Sequence, residues 1–461
     1  VVAAAARGER MKTAATLLSA WERTVRRAPD AVAVSELASG QSCTRSELDA
    51  RAGNWAAKHG ENLHGETVVF AAANGIGWLT IFLGLLKAGA VVAALDSGEP
   101  IAAQRGAAVA IGASRLWTGT GWEQFATSRR RRRTGDGRRL IKITSGSTGK
   151  PRTLVFTDAQ MLADGRQICA TMKIAPDDVN FALIPLGHSY GLGNLVVPLL
   201  VQGTALVVGS SPLPHVVAAE VERARPTMFP AVPVVLRALA ESEVSAEKLG
   251  SLRTIISAGA PLEIETARRF FERFGRKIHG FYGSSETGGI SYDRTGDATL
   301  RGSVGTPMNG VSVSVGARGA LRVKSAAVVT IGRRIKAGEL GWHRPSDLAV
   351  IGANGELMLT GRAGRQVKIA GRRVNLNEVE QALREIAGVR EAWVGVQETP
   401  VEILVAAVAG DVAVDHLRAA LREKLAAWKI PRRWCRLAEL PRTARGKVNG
   451  QELRERFRNR A

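Results

Sequence analysis

An alternation of helical and strand patterns runs through most of the chain, and it limits the fold more than any other feature. LLSAWERTVRR and SELDARAGNWAAKHG have the apolar spacing of amphipathic helices, whereas ETVVFAAA and AVVAAL are short apolar runs typical of buried strands. The pattern resumes with LIKIT, NFALIPL, TALVVG, PTMFPAV and LRTIISAG. Alternation of this kind predicts parallel βαβ units and therefore an α/β domain.

The pattern changes from about residue 290 to 362. Short strands separated by Gly and Asn, such as VSVSVGARGALRVKS and LAVIGANGELMLTG, favour a small antiparallel or barrel-like sheet. NLNEVEQALREIAGV then predicts a helix with Asn at its start, followed by two strands and the helix DHLRAALREKLAAW. Because 461 residues exceed what one hydrophobic core usually holds, at least two domains are expected. We predict a large N-terminal α/β domain over residues 1–363 and a small α+β domain over residues 364–461.

Composition places the chain among ordinary globular proteins. Hydrophobic residues make up 45% and charged residues 23%, and Gly, Pro or charge interrupts every apolar stretch before it could span a bilayer. The Ala-rich start lacks the order of a secretory signal, so a cytoplasmic protein with no transmembrane segment is expected. Cys43, Cys169 and Cys435 have neither CxxC nor Cys/His spacing, which argues against a disulfide framework or a zinc site.

The formal net charge of +22 raises nucleic acid, a membrane surface or an anionic substrate as partners. The densest basic run is Arg129 to Arg133, and no aromatic residue inside it could stack on a base. A solvated loop is therefore the preferred interpretation of that run. We expect no nucleic-acid partner, although composition alone does not choose among the polyanions.

The densest local signal is ITSGSTGKPR, which follows the short apolar strand pattern LIKIT. Glycines let backbone N–H groups approach an anion closely, and Ser and Thr hydroxyls add donors, as a triphosphate requires. The spacing differs from that of a Walker A loop. Two residues rather than four separate Gly146 from the Gly149-Lys150 pair, and Pro151 follows the lysine. An ordinary Gly/Ser-rich turn remains the alternative. The candidate phosphate-binding residues are Thr144, Ser145, Gly146, Ser147, Thr148, Gly149 and Lys150.

Further blocks follow this loop along the chain. They read PLGHSYG at 185–191, SAGAPL at 257–262, FYGSSETG at 281–288, WHRPSD at 342–347, GRAGRQVKIAGRRVNLNEVE at 361–380 and PRTARGK at 441–447. In this order the chain resembles the adenylate-forming superfamily of acyl-CoA synthetases, peptide-synthetase adenylation domains and beetle luciferases. The resemblance covers nearly the whole chain. It implies a ligase that joins a carboxylic acid to the α-phosphate of ATP and then passes the acyl group to a thiol.

The resemblance implies roles for the residues around the nucleotide. Glu286 would bind Mg²⁺, which prefers one or two carboxylates together with substrate phosphates. Ser285 would offer a hydroxyl to the α-phosphate, and Tyr282 a flat face to adenine. A surface Glu and a core Tyr are the plain alternatives. The other residues implied on the ATP side are Gly259, Ala260, Pro261 and Gly283.

Asp347 would accept hydrogen bonds from both ribose hydroxyls, and Arg362 would add a second ribose contact. A simple turn residue is the alternative for Asp347. His188 would form a wall of the acyl pocket rather than act as a base, because carboxylic acids are already ionised at neutral pH. A structural His is the alternative there. The other residues implied in the acyl pocket are Ser257, Gly283 and Ser284.

In the C-terminal domain, Lys447 is the residue most expected to do chemistry. Its ammonium would bridge the incoming carboxylate and the α-phosphate, with an inert surface lysine as the alternative. Lys368 and Gly371 would line the channel for the thiol. Gly364 would be the hinge, at a position where relatives commonly have Asp or Lys.

The resemblance implies ATP, Mg²⁺ and CoA as the small molecules used. Gly187-His188-Ser189 lacks the acidic residue with which amino-acid-activating relatives hold the substrate amine, so we expect an amine-free fatty or aryl acid. Phosphopantetheine on an acyl carrier protein is the alternative acceptor to CoA. A non-catalytic nucleotide- or nucleic-acid-binding protein is the alternative from another class. Arg152, Thr153, Pro345 and Ser346 depart from the family's usual residues.

Overall fold

The structure is a computed structural model. It describes residues 15–126, 137–144, 152–329, 340–362, 365–369, 372–397, 403–425, 427–443 and 446–458. The chain divides into two units. The first consists of Val1–Val313, Val323–His343 and Ala353–Leu357, and the second of Ser314–Arg322, Arg344–Gly352 and Met358–Ala461. The predicted boundary after residue 363 stays a prediction, because residues 363 and 364 lie outside the described residues.

The helices of the first unit begin where the sequence offers caps. At Thr16, Thr44 and Thr157 the side chain accepts a hydrogen bond from the backbone N–H three residues later, and the side chain there accepts one in return. Each such cap contributes about 1 kcal/mol. The helices are α1 Leu17–Arg27, α2 Arg45–His59, α3 Ile76–Lys87, α4 Ile101–Ala110, α5 Asp158–Met172, α6 Ser189–Gly191, α7 Val197–Gln202, α8 Pro214–Ala224, α9 Pro233–Glu241 and α10 Ile264–Phe274. A π-helical turn, Leu192–Val196, joins α6 to α7.

The strands up to residue 343 coincide with the short apolar runs. They are β1 Val32–Glu36, β2 Ser42–Thr44, β3 Thr67–Ala71, β4 Val91–Leu95, β5 Arg115–Trp117, β6 Trp122–Gln124, β7 Arg138–Thr144, β8 Arg152–Thr157, β9 Val179–Ala182, β10 Ala205–Val208, β11 Met228–Ala231, β12 Thr254–Ser257, β13 Ile278–Ser284, β14 Gly288–Tyr292, β15 Thr306–Pro307, β16 Ser312–Val315, β17 Leu321–Ser325 and β18 Gly341–His343. Short 3₁₀ turns follow α9 at Ala246–Leu249 and β14 at Thr299–Arg301.

These strands form a large sheet of order β15-β14-β13-β12-β11-β9-β10-β1-β2 and a second sheet of order β6-β5-β3-β4-β7-β8. From β13 to β1 the neighbouring strands of the large sheet run parallel, as do β5, β3, β4 and β7 of the second. Antiparallel strands close the edges. The parallel centres confirm the βαβ prediction. A separate sheet has the order β16-β17-β18.

The largest hydrophobic core of this unit contains side chains from strands of both sheets and from α1, α2, α3, α5 and α7. A second core packs α8, α9 and α10 on the large sheet. Trp78, Phe82 and Phe70 are fully buried in the first core, and the rings of Trp78 and Phe82 stack with centroids 5.0 Å apart. Burying one such side chain contributes about 1.5 to 3 kcal/mol. The carboxyl ends of the parallel strands are thereby held in fixed positions, which is where ligands usually bind in such sheets.

The second unit has its own core. Its strands are β19 Asp347–Ile351, β20 Leu357–Arg362, β21 Gln366–Ile369, β22 Arg372–Asn375, β23 Val389–Gln397, β24 Ile403–Gly410 and β25 Arg433–Leu437. Its helices are α11 Leu376–Arg384, α12 Val414–Lys424 and α13 Gly450–Arg458. Short 3₁₀ turns lie at Ala317–Gly319 and Ala427–Lys429. The sheets have the orders β19-β20, β21-β22 and β23-β24-β25.

In the second unit, α11 and α12 contribute side chains to one hydrophobic core of the β23-β24-β25 sheet, and α13 contributes to another. Asn375 caps α11, since its side chain accepts a hydrogen bond from the Asn377 N–H. The predicted class, a large α/β domain followed by a small α+β domain, is confirmed. None of the helices in the described part of the chain combines the length and apolar character needed to cross a membrane.

Candidate functional site

The FYGSSETG block forms the turn of the β13–β14 hairpin. Gly283 pairs with Gly289 and Ser284 with Gly288, so Ser285, Glu286 and Thr287 form the turn itself. The fully buried Thr287 closes it, because its Oγ1 lies 3.0 Å from Ser284 Oγ and accepts from the Ser284 N–H at 3.3 Å. Ser285 and Glu286 therefore lie at a defined position at the carboxyl end of β13.

Glycine is required on both sides of this turn. At Gly283 a Cβ would overlap the backbone carbonyl of Gly288 on the paired strand. Gly288 has φ +69°, and a Cβ there would overlap the Asp164 carboxylate from α5. Asp164 Oδ1 also accepts a hydrogen bond from the Gly289 N–H at 3.0 Å. The Asp164 carboxylate on α5 thus fixes the conformation of this turn.

Glu286, the predicted metal ligand, is half-buried at the top of this turn. Its backbone carbonyl accepts a hydrogen bond from the Val329 N–H at 2.9 Å. Gln160 of α5 donates to the neighbouring Val328 carbonyl at 3.0 Å, which ties the 328–329 segment to the same helix. The backbone of Glu286 is therefore anchored.

The PLGHSYG block meets this turn directly. Ser189 Oγ donates a hydrogen bond to Ser285 Oγ at 3.0 Å, although the two residues are 96 positions apart. The Tyr190 hydroxyl donates to the Ile256 carbonyl at 3.2 Å, and the Tyr190 ring lies 5.9 Å from that of Phe281. The structure therefore brings the predicted acyl-pocket block next to the predicted α-phosphate residue.

His188 lies beside a carboxylate that sequence reasoning missed. Its Nε2 is 3.5 Å from Asp96 Oδ2, in the loop after β4. A cavity of about 360 Å³ at the carboxyl ends of β1, β3 and β4 is lined in part by Asp96, Glu36 and Gly187. His188, Ser257, Gly283 and Ser284 do not line it. Two carboxylates in its wall would repel a carboxylate substrate, so we do not assign the cavity to the acid.

The SAGAPL block follows β12. Ser257 is buried, and its Oγ has no hydrogen-bond partner within the described residues. It follows Ile255 by two residues on the strand, so the two side chains share the face that packs against α8, α9 and α10. Gly259 has φ +89° and is exposed together with Ala260 and Pro261. The assignments of Ser257 to the acyl pocket and of Gly259 to Pro261 to the nucleotide stay predictions.

The proposed phosphate loop joins β7 to β8. These strands pair antiparallel up to Thr144 and Arg152, so the loop begins and ends at one point of the second sheet. Ser145, Gly146, Ser147, Thr148, Gly149 and Lys150 lie outside the described residues. For Thr144 the structure describes the backbone only.

Several of the predicted site residues lie in the second unit. Asp347 is the first residue of β19 and is buried, which differs from a free turn residue. Arg362 ends β20, and Lys368 lies in β21, with their side chains outside the described part. Gly364 and Gly371 also lie outside the described residues. The roles of these residues stay predictions.

Lys447 is exposed and lies at the end of a short loop, which is held in place by hydrogen bonds. The Thr443 N–H donates to the Lys447 carbonyl at 2.8 Å, and the Gly446 N–H donates to the Thr443 carbonyl at 2.9 Å. Arg442 donates to the Gly446 carbonyl at 2.8 Å and forms a 2.6 Å ion pair with Glu391. The backbone around Lys447 is therefore anchored, while the Lys447 side chain is exposed.

Sequence reasoning also missed two buried charged residues. Lys142 lies within the apolar run LIKIT, and Asp164 lies on the buried face of α5 between apolar residues. The signal was a charge inside an apolar pattern, which is unusual because isolated buried charges are costly. Sequence reasoning passed over both, since neither belongs to a recognised block.

Among the described residues, the donor set is compatible with Mg²⁺ that is bound together with phosphates. In the part of the chain that the structure describes, no group of three or more His, Cys, Asp or Glu side chains could hold a metal ion. Glu286 supplies one half-buried carboxylate from an anchored turn. Mg²⁺ commonly takes one or two carboxylates and completes its shell with phosphates and water.

The fold and this arrangement define an adenylate-forming type of enzyme. Residues 139–328 match the family described as AMP-binding enzyme, and residues 378–447 match the AMP-binding enzyme C-terminal domain. A benzoate–CoA ligase from Thauera aromatica is 30% identical over 367 residues, which are 73% of this chain and 68% of that protein. The chain belongs to the AMP-binding enzyme family.

Two further comparisons agree with this assignment. A feruloyl-CoA synthase from an Amycolatopsis species is 29% identical over 342 residues, covering 69% of this chain and 70% of that protein. The crystal structure of ATP-bound MatB from Rhodopseudomonas palustris has a TM-score of 0.80 at 22% identity, covering 96% of this chain and 99% of that one. The latter similarity shows the shared fold. The predicted enzyme class, an AMP-forming acid–thiol ligase, is confirmed.

Proposed function

We propose that the chain activates an amine-free carboxylic acid with ATP and transfers the acyl group to the thiol of CoA. The observation that carries this proposal is the hydrogen bond between Ser189 and Ser285, because it joins the candidate acid-binding block to the candidate phosphate-binding turn. The similar proteins named above are a feruloyl-CoA synthase and a benzoate–CoA ligase, which favours an aryl acid over a fatty acid.

In the first half-reaction a carboxylate oxygen attacks the α-phosphorus, and pyrophosphate leaves with the electron pair of the broken P–O bond. Both reactants are anionic, so the protein must hold them in line and supply positive charge where negative charge develops. In this proposal Lys447 supplies that charge, and the Ser285 hydroxyl donates to an α-phosphate oxygen. Glu286 would hold Mg²⁺, which would neutralise phosphate charge when bound.

In the second half-reaction the thiolate sulfur attacks the acyl carbonyl carbon, and AMP leaves as the C–O bond breaks. Residues 1–363 would hold ATP and the acid, and residues 364–461 would carry Lys447. Gly364 would be the hinge, and Lys368 and Gly371 would lie along the thiol path. The resemblance to the adenylate-forming superfamily supports this division.

Pyrophosphate exchange into ATP, measured over a panel of aryl and fatty acids, tests the first step. We expect exchange that needs both Mg²⁺ and an acid, with benzoate-like acids the best substrates. Glu286→Gln should reduce exchange by at least about 100-fold, as for the loss of a preorganised electrostatic partner. If no acid in the panel supports exchange and the protein binds DNA in a salt-sensitive manner, a nucleic-acid-binding protein would be favoured instead.

A carrier protein is the second candidate acceptor, favoured by a specific observation. Arg432 and Arg436 are exposed on and beside β25, where they could meet the acidic helices of a carrier. Arg433 is unsuitable for a test, because its guanidinium donates to the Gln397 side chain at 2.8 Å and supports the fold.

Thioester yield should therefore be compared between free CoA and a phosphopantetheinylated carrier, for wild type and for Arg432→Glu/Arg436→Glu. We expect turnover with CoA that the double charge reversal changes by less than about twofold, because rim charges act weakly on a small ligand bound elsewhere. Activity with the carrier alone, lost on charge reversal, would establish the second candidate.

A further inference from the structure

Lys142 is a buried cation that the proposed mechanism does not yet use. Only 5% of its surface is exposed, although it lies on β7 two residues before the proposed phosphate loop begins. Its Nζ is 4.3 Å from the centroid of the Phe156 ring on β8, a cation–π distance. The ammonium is therefore held against an aromatic ring inside the fold.

Asp164 is the buried anion of the same region. It is 4% exposed, and its Oδ1 accepts the hydrogen bond from the Gly289 N–H that fixes the Glu286 turn. A Cβ added at Gly288 or at Gly193 would meet this carboxylate, so the carboxylate lies close to the backbone of both glycines. Asp164 therefore connects α5, the π-helical turn and the β13–β14 hairpin.

The charges of Lys142, Asp164 and Glu286 act on one another. Burial lowers the pKa of Lys142, whereas the carboxylates of Asp164 and then Glu286 act to raise it. Burial raises the pKa of Asp164, and Lys142 and the Gly289 N–H oppose that shift. Removing the Lys142 ammonium would leave the buried Asp164 carboxylate without its opposite charge, which is costly in a buried site.

We propose that Lys142 is a positioning residue for the ATP site, acting through its charge on Asp164 and Glu286. Its ammonium balances Asp164, which anchors the turn, and it reduces the negative charge that an incoming ATP triphosphate meets. With all three side chains ionised, the cluster carries one net negative charge, and without the ammonium it would carry two. This inference rests on the proposed function, because it takes the Glu286 turn as the place where Mg²⁺ and the phosphates bind.

A purely structural ion pair is the alternative, and a pair of neutral replacements separates the two roles. Lys142→Met removes the charge at similar volume, and Asp164→Asn keeps an acceptor for the Gly289 N–H. We expect Lys142→Met to lower the melting temperature and to raise the KM for ATP about tenfold or more, with a smaller fall in kcat. In Lys142→Met/Asp164→Asn the buried charges are removed together, so the melting temperature should return close to that of wild type.

The decisive reading is the KM for ATP of the double variant. We expect it to stay at least about fivefold above wild type, because the ammonium is still missing beside Glu286. A KM that returns to the wild-type value together with the melting temperature would show that the pair is only structural, and would overturn the proposal. Lys87→Met is the matched control, since Lys87 pairs with Asp49 at 2.8 Å elsewhere in the same unit, and its KM should not change.

Two further readings keep the test decisive. If the double variant does not fold, Lys142→Met alone decides, because it removes only the ammonium. A folded Lys142→Met with the wild-type KM for ATP would overturn the proposal. Binding of ATP to each variant should also be measured by calorimetry. A wild type that binds ATP without pyrophosphate exchange would refute the proposed function, whereas wild-type exchange with unchanged ATP affinity in Lys142→Met would refute this inference alone.

Discussion

Replacing Gly288 by alanine tests whether the Asp164 carboxylate holds the Glu286 turn in place. Gly288 has φ +69°, a conformation that costs an L-residue about 1 to 2 kcal/mol. The added Cβ would also overlap the Asp164 carboxylate, which must then move away from the Gly289 N–H. Losing a hydrogen bond to a charged acceptor costs about 1.5 to 3 kcal/mol. We therefore expect a total destabilisation of about 2.5 to 5 kcal/mol.

Gly302→Ala is the matched control for the backbone part of this cost. Gly302 has φ +71°, and a Cβ there would meet no atom within 4 Å, so the expected loss is about 1 to 2 kcal/mol. Urea unfolding followed by tryptophan fluorescence would compare the transition midpoints of the two variants. Pyrophosphate exchange should fall in Gly288→Ala and stay near wild type in Gly302→Ala. If Gly288→Ala is no less stable than Gly302→Ala, Asp164 does not anchor the turn.

Three further outcomes are expected. Lys447→Ala should slow adenylate formation, measured by pyrophosphate exchange, by about 100-fold or more, while thioester formation from a supplied acyl-adenylate survives. An equal loss in both steps would mean that Lys447 is structural. Ser189→Ala should reduce exchange by about 2- to 10-fold and have no further effect in a Ser285→Ala background, whereas additive losses would show that the hydrogen bond between them does not matter. Burial raises the pKa of the Cys169 thiol to about 12, so at pH 8 only about one Cys169 thiol in ten thousand is ionised. Cys169 of the native protein should therefore resist iodoacetamide until the protein is unfolded, as peptide mass spectrometry would reveal.

The sequence by itself determined the order of elements and the enzyme class. Periodicity was sufficient for the parallel sheets, because buried strands such as β3 and β12 are short apolar runs bounded by helical patterns. Asn375 before α11 marked a helix start, because capping depends on residues only a few positions apart. The blocks around Glu286, Asp347 and Lys447 identified the family, since their order along the chain is a property of the sequence alone.

Only the tertiary structure decided which of these residues meet. Ser189 lies beside Ser285 because β9 and β13 are parallel strands of one sheet and end at the same edge. Asp96 lies beside His188 because the carboxyl ends of β4 in the second sheet and of β9 in the large sheet come together. Lys142 and Asp164 carried no recognisable motif, and their roles depend on burial and on the field of neighbouring charges. A local pattern specifies hydrogen bonds within a few residues, whereas the electrostatics of a buried site are set by the packing of strands and helices that the chain brings together from a hundred or more residues apart.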